Sequence, residues 1–148
     1  MKILVDADGC PVRKIVVRIA KAENIPLFIV SNIHHEIDED YGKIITVDAS
    51  FDEADHVIVS HTEKGDLVVT QDYGLASLVI SKGAFAIHQD GWFYTEDNIE
   101  GLLMKRYLGQ KMRRANKRFS SIPKRNKSND EAFEKALKRF VFERKDAL

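Results

Sequence analysis

Five aspartates carry most of the chemistry open to this sequence: Asp6, Asp8, Asp52, Asp55 and Asp72. Asp6 and Asp8 close the apolar run Ile3-Leu4-Val5, and Gly9, Cys10 and Pro11 then break it. On a strand, residues i and i+2 project to the same side. Both carboxylates would point together from the strand's carboxyl end, the edge where open α/β sheets bind ligands. Like charges held close repel, so the pair calls for a cation, a shared proton or abundant solvent. A hard divalent cation, magnesium or manganese, suits carboxylate oxygens. The bland alternative is a solvated strand end, with Asp8 capping the helix that Pro11 begins.

The arrangement recurs later in the chain. Leu67-Val68-Val69-Thr70 reads as a strand, with Gln71-Asp72 at its carboxyl end before a helix from Tyr73 to Lys82. Asp72 is either a further ligand or a helix N-cap, a role Asp fills often. Phe51 to His61 looks helical, and Asp52 and Asp55, three apart, lie on one flank. Asp55 shares a face with Phe51 and Ile58, which makes it a ligand, a charge-pair partner or a sign of a differently rotated helix. Asp66 precedes its strand and reads as a turn residue at the opposite edge. His34 and His35 are adjacent, share no face and have no cysteine nearby, so they read as solvated loop histidines.

These acids need a scaffold that brings them together. Leu27–Val30, Ile44–Val47 and Ala84–Ile87 are further apolar strand patterns, and Pro11–Glu23 is an amphipathic helix with Val12, Ile15, Val16 and Ile19 on one face. Regular alternation of strand and helix predicts an α/β fold. Its expected form is a parallel sheet of about five strands with helices on both faces, plus a turn and packed edge strand at Trp92, Phe93 and Tyr94. Gly83 is the expected helix stop. A long helix from Glu96 toward Ala115 places Ile99, Leu102, Leu103, Tyr107 and Leu108 at core spacing. Residues 117–129 read as a basic connection, and a last amphipathic helix from Asp130 to Lys145 repeats Phe133, Leu137, Phe140 and Val141. That helix packs back on the domain, caps a dimer or docks on a partner. The expected organisation is an α/β domain over 1–116 and a basic loop and C-terminal helix over 117–148. No GxGxxG or GxxxxGK[ST] occurs, so neither a dinucleotide fingerprint nor a P-loop is supported.

Composition narrows the class. The 148 residues are 44% hydrophobic and 31% charged, enough for a core and a soluble surface, and no apolar run approaches a membrane span. One cysteine cannot form an internal disulfide, and the first residues lack the pattern of a secretory signal, so the cytoplasm is the expected compartment. Cys10 is expected to pack beneath the first helix. The zero net charge hides an asymmetry: residues 1–100 hold 8 Lys/Arg against 18 Asp/Glu, and residues 101–148 hold 15 against 5. An acidic body with a basic tail suggests a cation on one and a polyanion, RNA or DNA, on the other. Simple attraction between the halves is the alternative. Arg113, Arg114, Lys117 and Arg118, where the long helix gives way to the basic connection, are the expected phosphate contacts.

Three blocks carry a resemblance. Val5-Asp6-Ala7-Asp8-Gly9-Cys10-Pro11, Phe51-Asp52-Glu53-Ala54-Asp55 and Gly65-Asp66-Leu67-Val68-Val69-Thr70-Gln71-Asp72-Tyr73-Gly74-Leu75-Ala76 resemble the YaiI/YqxD family, the UPF0178 or DUF188 group. Several members of that family carry Pro-Leu-Ala where this chain has Gly74-Leu75-Ala76. The family looks like a relative of PIN-domain nucleases. That resemblance implies a PIN-like fold, with Asp6, Asp55 and Asp72 as catalytic acids, Asp8 and Asp52 as supports, and magnesium or manganese as cofactor. A metal-dependent nuclease-like protein acting on RNA or DNA phosphodiesters follows as the expected function. A non-catalytic PIN-like binding module is the alternative. Asp6-Ala7-Asp8-Gly9-Cys10 is also similar to the first motif of haloacid dehalogenase-like phosphatases, where Asp6 would be nucleophile and Asp8 acid/base. The chain has no room for that family's cap domain.

Overall fold

The computed structural model describes residues 1–32, 37–48, 53–114 and 124–146. Among them are six strands, β1 (Ile3–Asp6), β2 (Leu27–Asn32), β3 (Lys43–Val47), β4 (Leu67–Val69), β5 (Phe85–Ile87) and β6 (Phe93–Tyr94). Five helices accompany them: α1 (Arg13–Ala22), α2 (Glu53–His61), α3 (Tyr73–Ser81), α4 (Glu96–Arg114) and α5 (Lys127–Asp146). The strands form one sheet in the order β3-β2-β1-β4-β5-β6. All neighbours pair in parallel except β5 and β6, so the expected edge strand at Phe93 and Tyr94 closes the sheet antiparallel.

Strand alternation divides the core into two. Ile3 and Val5 of β1 point to one face, where they join Val16 and Ile19 of α1 and Phe133, Leu137, Phe140 and Val141 of α5. Leu4 points to the other, with Ile58 of α2, Leu75 and Val79 of α3, and the partly buried Ile99 and Leu102 of α4. The fold is a mixed α/β sheet covered by helices on both faces. Phe133 and Leu137 are fully buried, each contributing about 2 kcal/mol of apolar burial. Of the roles open to the C-terminal helix, packing back on the domain is the one observed. The expected boundary at 116/117 lies outside the described residues.

Two expectations need correction. Leu103, Tyr107 and Leu108 are not core residues; they are 36%, 59% and 47% exposed, and α4 packs through its Ile99–Leu102 side, against α3 and the core beneath it. Helical spacing identifies an apolar face but not what covers it. Asp66 does lie at the opposite edge of the sheet, but it is more than a turn residue. It is 4% exposed and accepts hydrogen bonds from Lys2 N (3.0 Å), Lys2 Nζ (2.6 Å) and Glu63 N (2.8 Å).

The acidic cleft at the carboxyl edge

The chain leaves β1 and β4 in opposite directions across the sheet, β1 toward β2 and β4 toward β5. A crevice opens at such a switch point, outside the carboxyl ends of the strands. Here a cleft of about 520 Å³ is lined by Asp6, Asp8, Ala54, Asp55, Gln71, Asp72, Tyr73 and Arg106. Four of the five expected acids therefore meet in one cleft, supplied by the end of β1, the turn after it, the first turn of α2 and the start of α3. Asp52 and the histidines at 34 and 35 lie outside the described residues.

Each acid is held by its own local geometry. Asp6 ends β1 and accepts a hydrogen bond from Thr70 Oγ1 at 2.9 Å, and that hydroxyl in turn accepts from Asp72 N at 3.0 Å. Asp8 does not cap α1, whose N-cap position is Val12 and which has no side-chain cap. Asp8 instead accepts from Asn32 N (3.3 Å) and Asn32 Nδ2 (3.2 Å) at the end of β2, and so ties the turn to the neighbouring strand. The turn closes through Gly9, whose φ of +71° favours glycine; its carbonyl accepts from Gln71 Nε2 at 3.0 Å. Asp72 is the N-cap of α3, accepting from Gly74 N (2.9 Å) and Leu75 N (3.2 Å). The cap role and a place in the cleft coexist, because a carboxylate has two oxygens. Asp55 is half-buried in the first turn of α2, above the fully buried Ile58.

The electrostatics of the cleft centre on Asp6. Burial raises its carboxyl group to a pKa of about 6; the Thr70 hydrogen bond opposes the shift, and the charges of Asp55, Asp72 and Asp8 add to it. Arg106, reaching in from α4, is the one cationic side chain among the described lining residues, 3.5 Å from Asp72 Oδ1 across an exposed pair. Sequence reasoning missed it, since no local pattern separates Arg106 from its basic neighbours. Among the described residues, no group of three or more His, Cys, Asp or Glu side chains is placed to hold a metal ion directly.

A second hollow of about 340 Å³ shares Gln71 and Tyr73 with the cleft and is lined further by His88, Gln89, Asp90, Lys124, Arg125, Asn126 and Asn129. Arg125 is committed here, donating to Asp90 Oδ1 (3.0 Å), Asp130 Oδ1 (2.7 Å) and the Gln89 carbonyl (2.8 Å). Gln89 Oε1 is buried without a hydrogen-bond partner among the described residues. Cys10 is partly buried against the core beside Asp6, and burial pushes its thiol up to about 11. Arg113 and Arg114 stand exposed at the end of α4; Lys117 and Arg118 lie outside the described residues.

Residues 4–143 match the family described as "Uncharacterized BCR, YaiI/YqxD family", DUF188. The chain belongs to that family. A UPF0178 protein of Alkaliphilus oremlandii is 54% identical over 143 residues, covering 97% of this chain and 92% of the relative. UPF0178 proteins of Natranaerobius thermophilus and Ruminiclostridium cellulolyticum are 45% and 48% identical. The first covers 99% of this chain and 100% of the relative, the second 95% and 92%. No solved structure matches the chain significantly. The YaiI/YqxD resemblance read from the three blocks is thus borne out across nearly the whole chain. No helix among the described residues is long and apolar enough to cross a membrane.

Proposed function

We propose that this YaiI/YqxD protein is a PIN-like, metal-dependent nuclease whose acidic cleft cleaves RNA or DNA phosphodiesters. The observation that carries the reading is the lining of the cleft: Asp6, Asp8, Asp55 and Asp72 from separate elements, with Arg106 the one cation among the described lining residues. Four carboxylates gathered at a ligand-binding edge suit a positively charged occupant. The donor set is all hard oxygen, which fits magnesium or manganese. Magnesium commonly engages only one or two carboxylates and fills its remaining positions with water and substrate phosphate, so it does not require three side chains already in place. Asp6 and its nearest acids would hold the ion, which when bound would supply Lewis-acid polarisation and a water activated near neutral pH.

The chain's own groups have definite tasks in this reading. Thr70 fixes the Asp6 carboxylate, the α3 backbone fixes Asp72, and Asn32 fixes Asp8, so the acids are oriented before any ligand arrives. Arg106 exchanges its exposed contact with Asp72 for a phosphate oxygen of the substrate. Arg113, Arg114, Lys117 and Arg118 neutralise phosphates beyond the cleft, each adding about 0.7 to 0.9 to the slope of log affinity against log salt.

The test is cleavage of end-labelled single-stranded RNA and duplex DNA with manganese, by the wild type, Asp6→Asn and Asp72→Asn. Asparagine caps helices as well as aspartate, so Asp72→Asn keeps α3. Metal-dependent cleavage by the wild type, lowered at least about a hundredfold in both variants (several kcal/mol of barrier), supports the proposal. Binding without cleavage would mark a non-catalytic module, and hydrolysis of small phosphomonoesters through a phosphorylated Asp6 would mark a phosphatase.

A further inference from the structure

The corrected face of α4 is the starting point. Ile99 and Leu102 pack against the core beside α3 and Gly109 is buried, while Leu103, Met104, Tyr107 and Leu108 are exposed in two consecutive turns. At 100° per residue, Asp97, Glu100, Met104, Tyr107, Lys111 and Arg114 fall on one stripe opposite the packed side, flanked by Leu103 and Leu108. A contiguous apolar patch with a charged border is characteristic of an interaction surface.

The order of charges along the stripe selects the partner. Its N-terminal part is acidic, with Asp97 and Glu100. Its centre is apolar. Its C-terminal part is basic, with Lys111 and Arg114. The stripe is therefore complementary to itself when reversed. A twofold axis crossing the helix between residues 105 and 106 sets Leu103 against Leu108 of the second copy and Met104 against Tyr107. The same axis sets Glu100 against Lys111 and Asp97 against Arg114. A parallel arrangement would instead face acid with acid and base with base. We propose that α4 is the contact of a homodimer, two copies of the helix packing antiparallel through this stripe.

Each contact occurs twice, as isologous association requires. The ion pairs fix direction and register, and the four apolar side chains from each copy supply the buried area. In the dimer Arg114 is engaged across the axis, so of the four proposed phosphate contacts Arg113, Lys117 and Arg118 remain for nucleic acid. Arg106 reaches the acidic cleft from the opposite face of the same helix, so dimerisation leaves the cleft open. The inference stands independently of the nuclease reading.

Sedimentation velocity of the full chain over a concentration series tests it, with circular dichroism to confirm folding. The wild type is expected to dimerise. Tyr107→Asp is expected to be monomeric, and Glu100→Lys or Lys111→Glu alone to weaken association at least about tenfold, because each sets two like-charge contacts across the axis. The double variant Glu100→Lys/Lys111→Glu restores opposite charges in this register only and is expected within about threefold of wild type. A wild type monomeric up to its solubility limit would overturn the proposal. A dimer indifferent to these substitutions, or a double variant no better than the singles, would overturn it equally.

Discussion

Asp66 and Asp6 belong to adjacent parallel strands and stand at opposite ends of the sheet. Asp66, just before β4, is almost fully buried, yet its carboxyl group is held below the usual carboxylate range. Burial works against the charge, but the hydrogen bonds from Lys2 and Glu63 outweigh it. Asp6, at the end of β1, is also removed from solvent but has a hydroxyl donor and three further acids around it, and its carboxyl group is pushed up. Burial alone decides neither case; the partners do. The amino edge is an internally completed ion pair, whereas the carboxyl edge gathers four acids around one cleft.

Breaking the completed end has the largest expected effect. Asp66→Ala leaves the Lys2 ammonium only its longer contact with Glu63 (3.6 Å) and strands two backbone N–H groups, and is expected to cost about 3 kcal/mol in urea unfolding at pH 7. A loss below about 1 kcal/mol would mean that the pair is not needed. Because the folded-state pKa of Asp66 is lowered, its contribution is complete above the unfolded value of 3.8 and fades as pH falls below it.

The cleft should respond with the opposite sign. The folded-state pKa of Asp6 is raised from 3.8 to about 6, so its ionisation costs the folded protein stability. That cost is absent below pH 3.8, grows between 3.8 and 6, and is complete above 6. Asp6→Asn is therefore expected to stabilise the metal-free protein by up to about 3 kcal/mol at pH 8, with the gain vanishing toward pH 4. A variant less stable than wild type at pH 8 would contradict the strained cleft. Manganese should reverse the ranking: saturating ion at pH 8 is expected to raise the wild-type Tm and leave that of Asp6→Asn unchanged.

Cys10 sharpens the comparison with the smallest effect. It packs beside Asp6 at the edge of the core, so Cys10→Ala is expected to cost about 1 kcal/mol and to leave any manganese-dependent cleavage within about twofold. With its thiol pushed up to about 11, alkylation at pH 8 should be slow until the chain is unfolded. Fast alkylation of the folded chain, or loss of cleavage with folding intact, would give Cys10 a role beyond packing.

What the sequence could tell follows from the range of each interaction. Apolar runs and strand-helix alternation identified β1 to β5 nearly to the residue, because burial on both faces demands continuous hydrophobic strands. The strand-end position of Asp6 and Asp72 was legible for the same reason, and the switch point between β1 and β4 brings them together. Partners distant in the chain were hidden. Nothing near Asp66 announces Lys2, nothing near Asp8 announces Asn32, and nothing in α4 marks Arg106 as the residue that reaches the cleft. Spacing also overstated the core of α4, since periodicity records an apolar stripe whether the same chain covers it or a second copy does.

Anomalous diffraction from manganese-soaked crystals grown at pH 8 would show whether the carboxyl-edge cleft takes a divalent cation, as proposed. A peak in the cleft at coordination distance from Asp6 and at least one of Asp8, Asp55 and Asp72, absent in Asp6→Asn crystals, is the predicted result. A cleft without a peak under saturating manganese, with the four carboxylates and Arg106 in place, would contradict it.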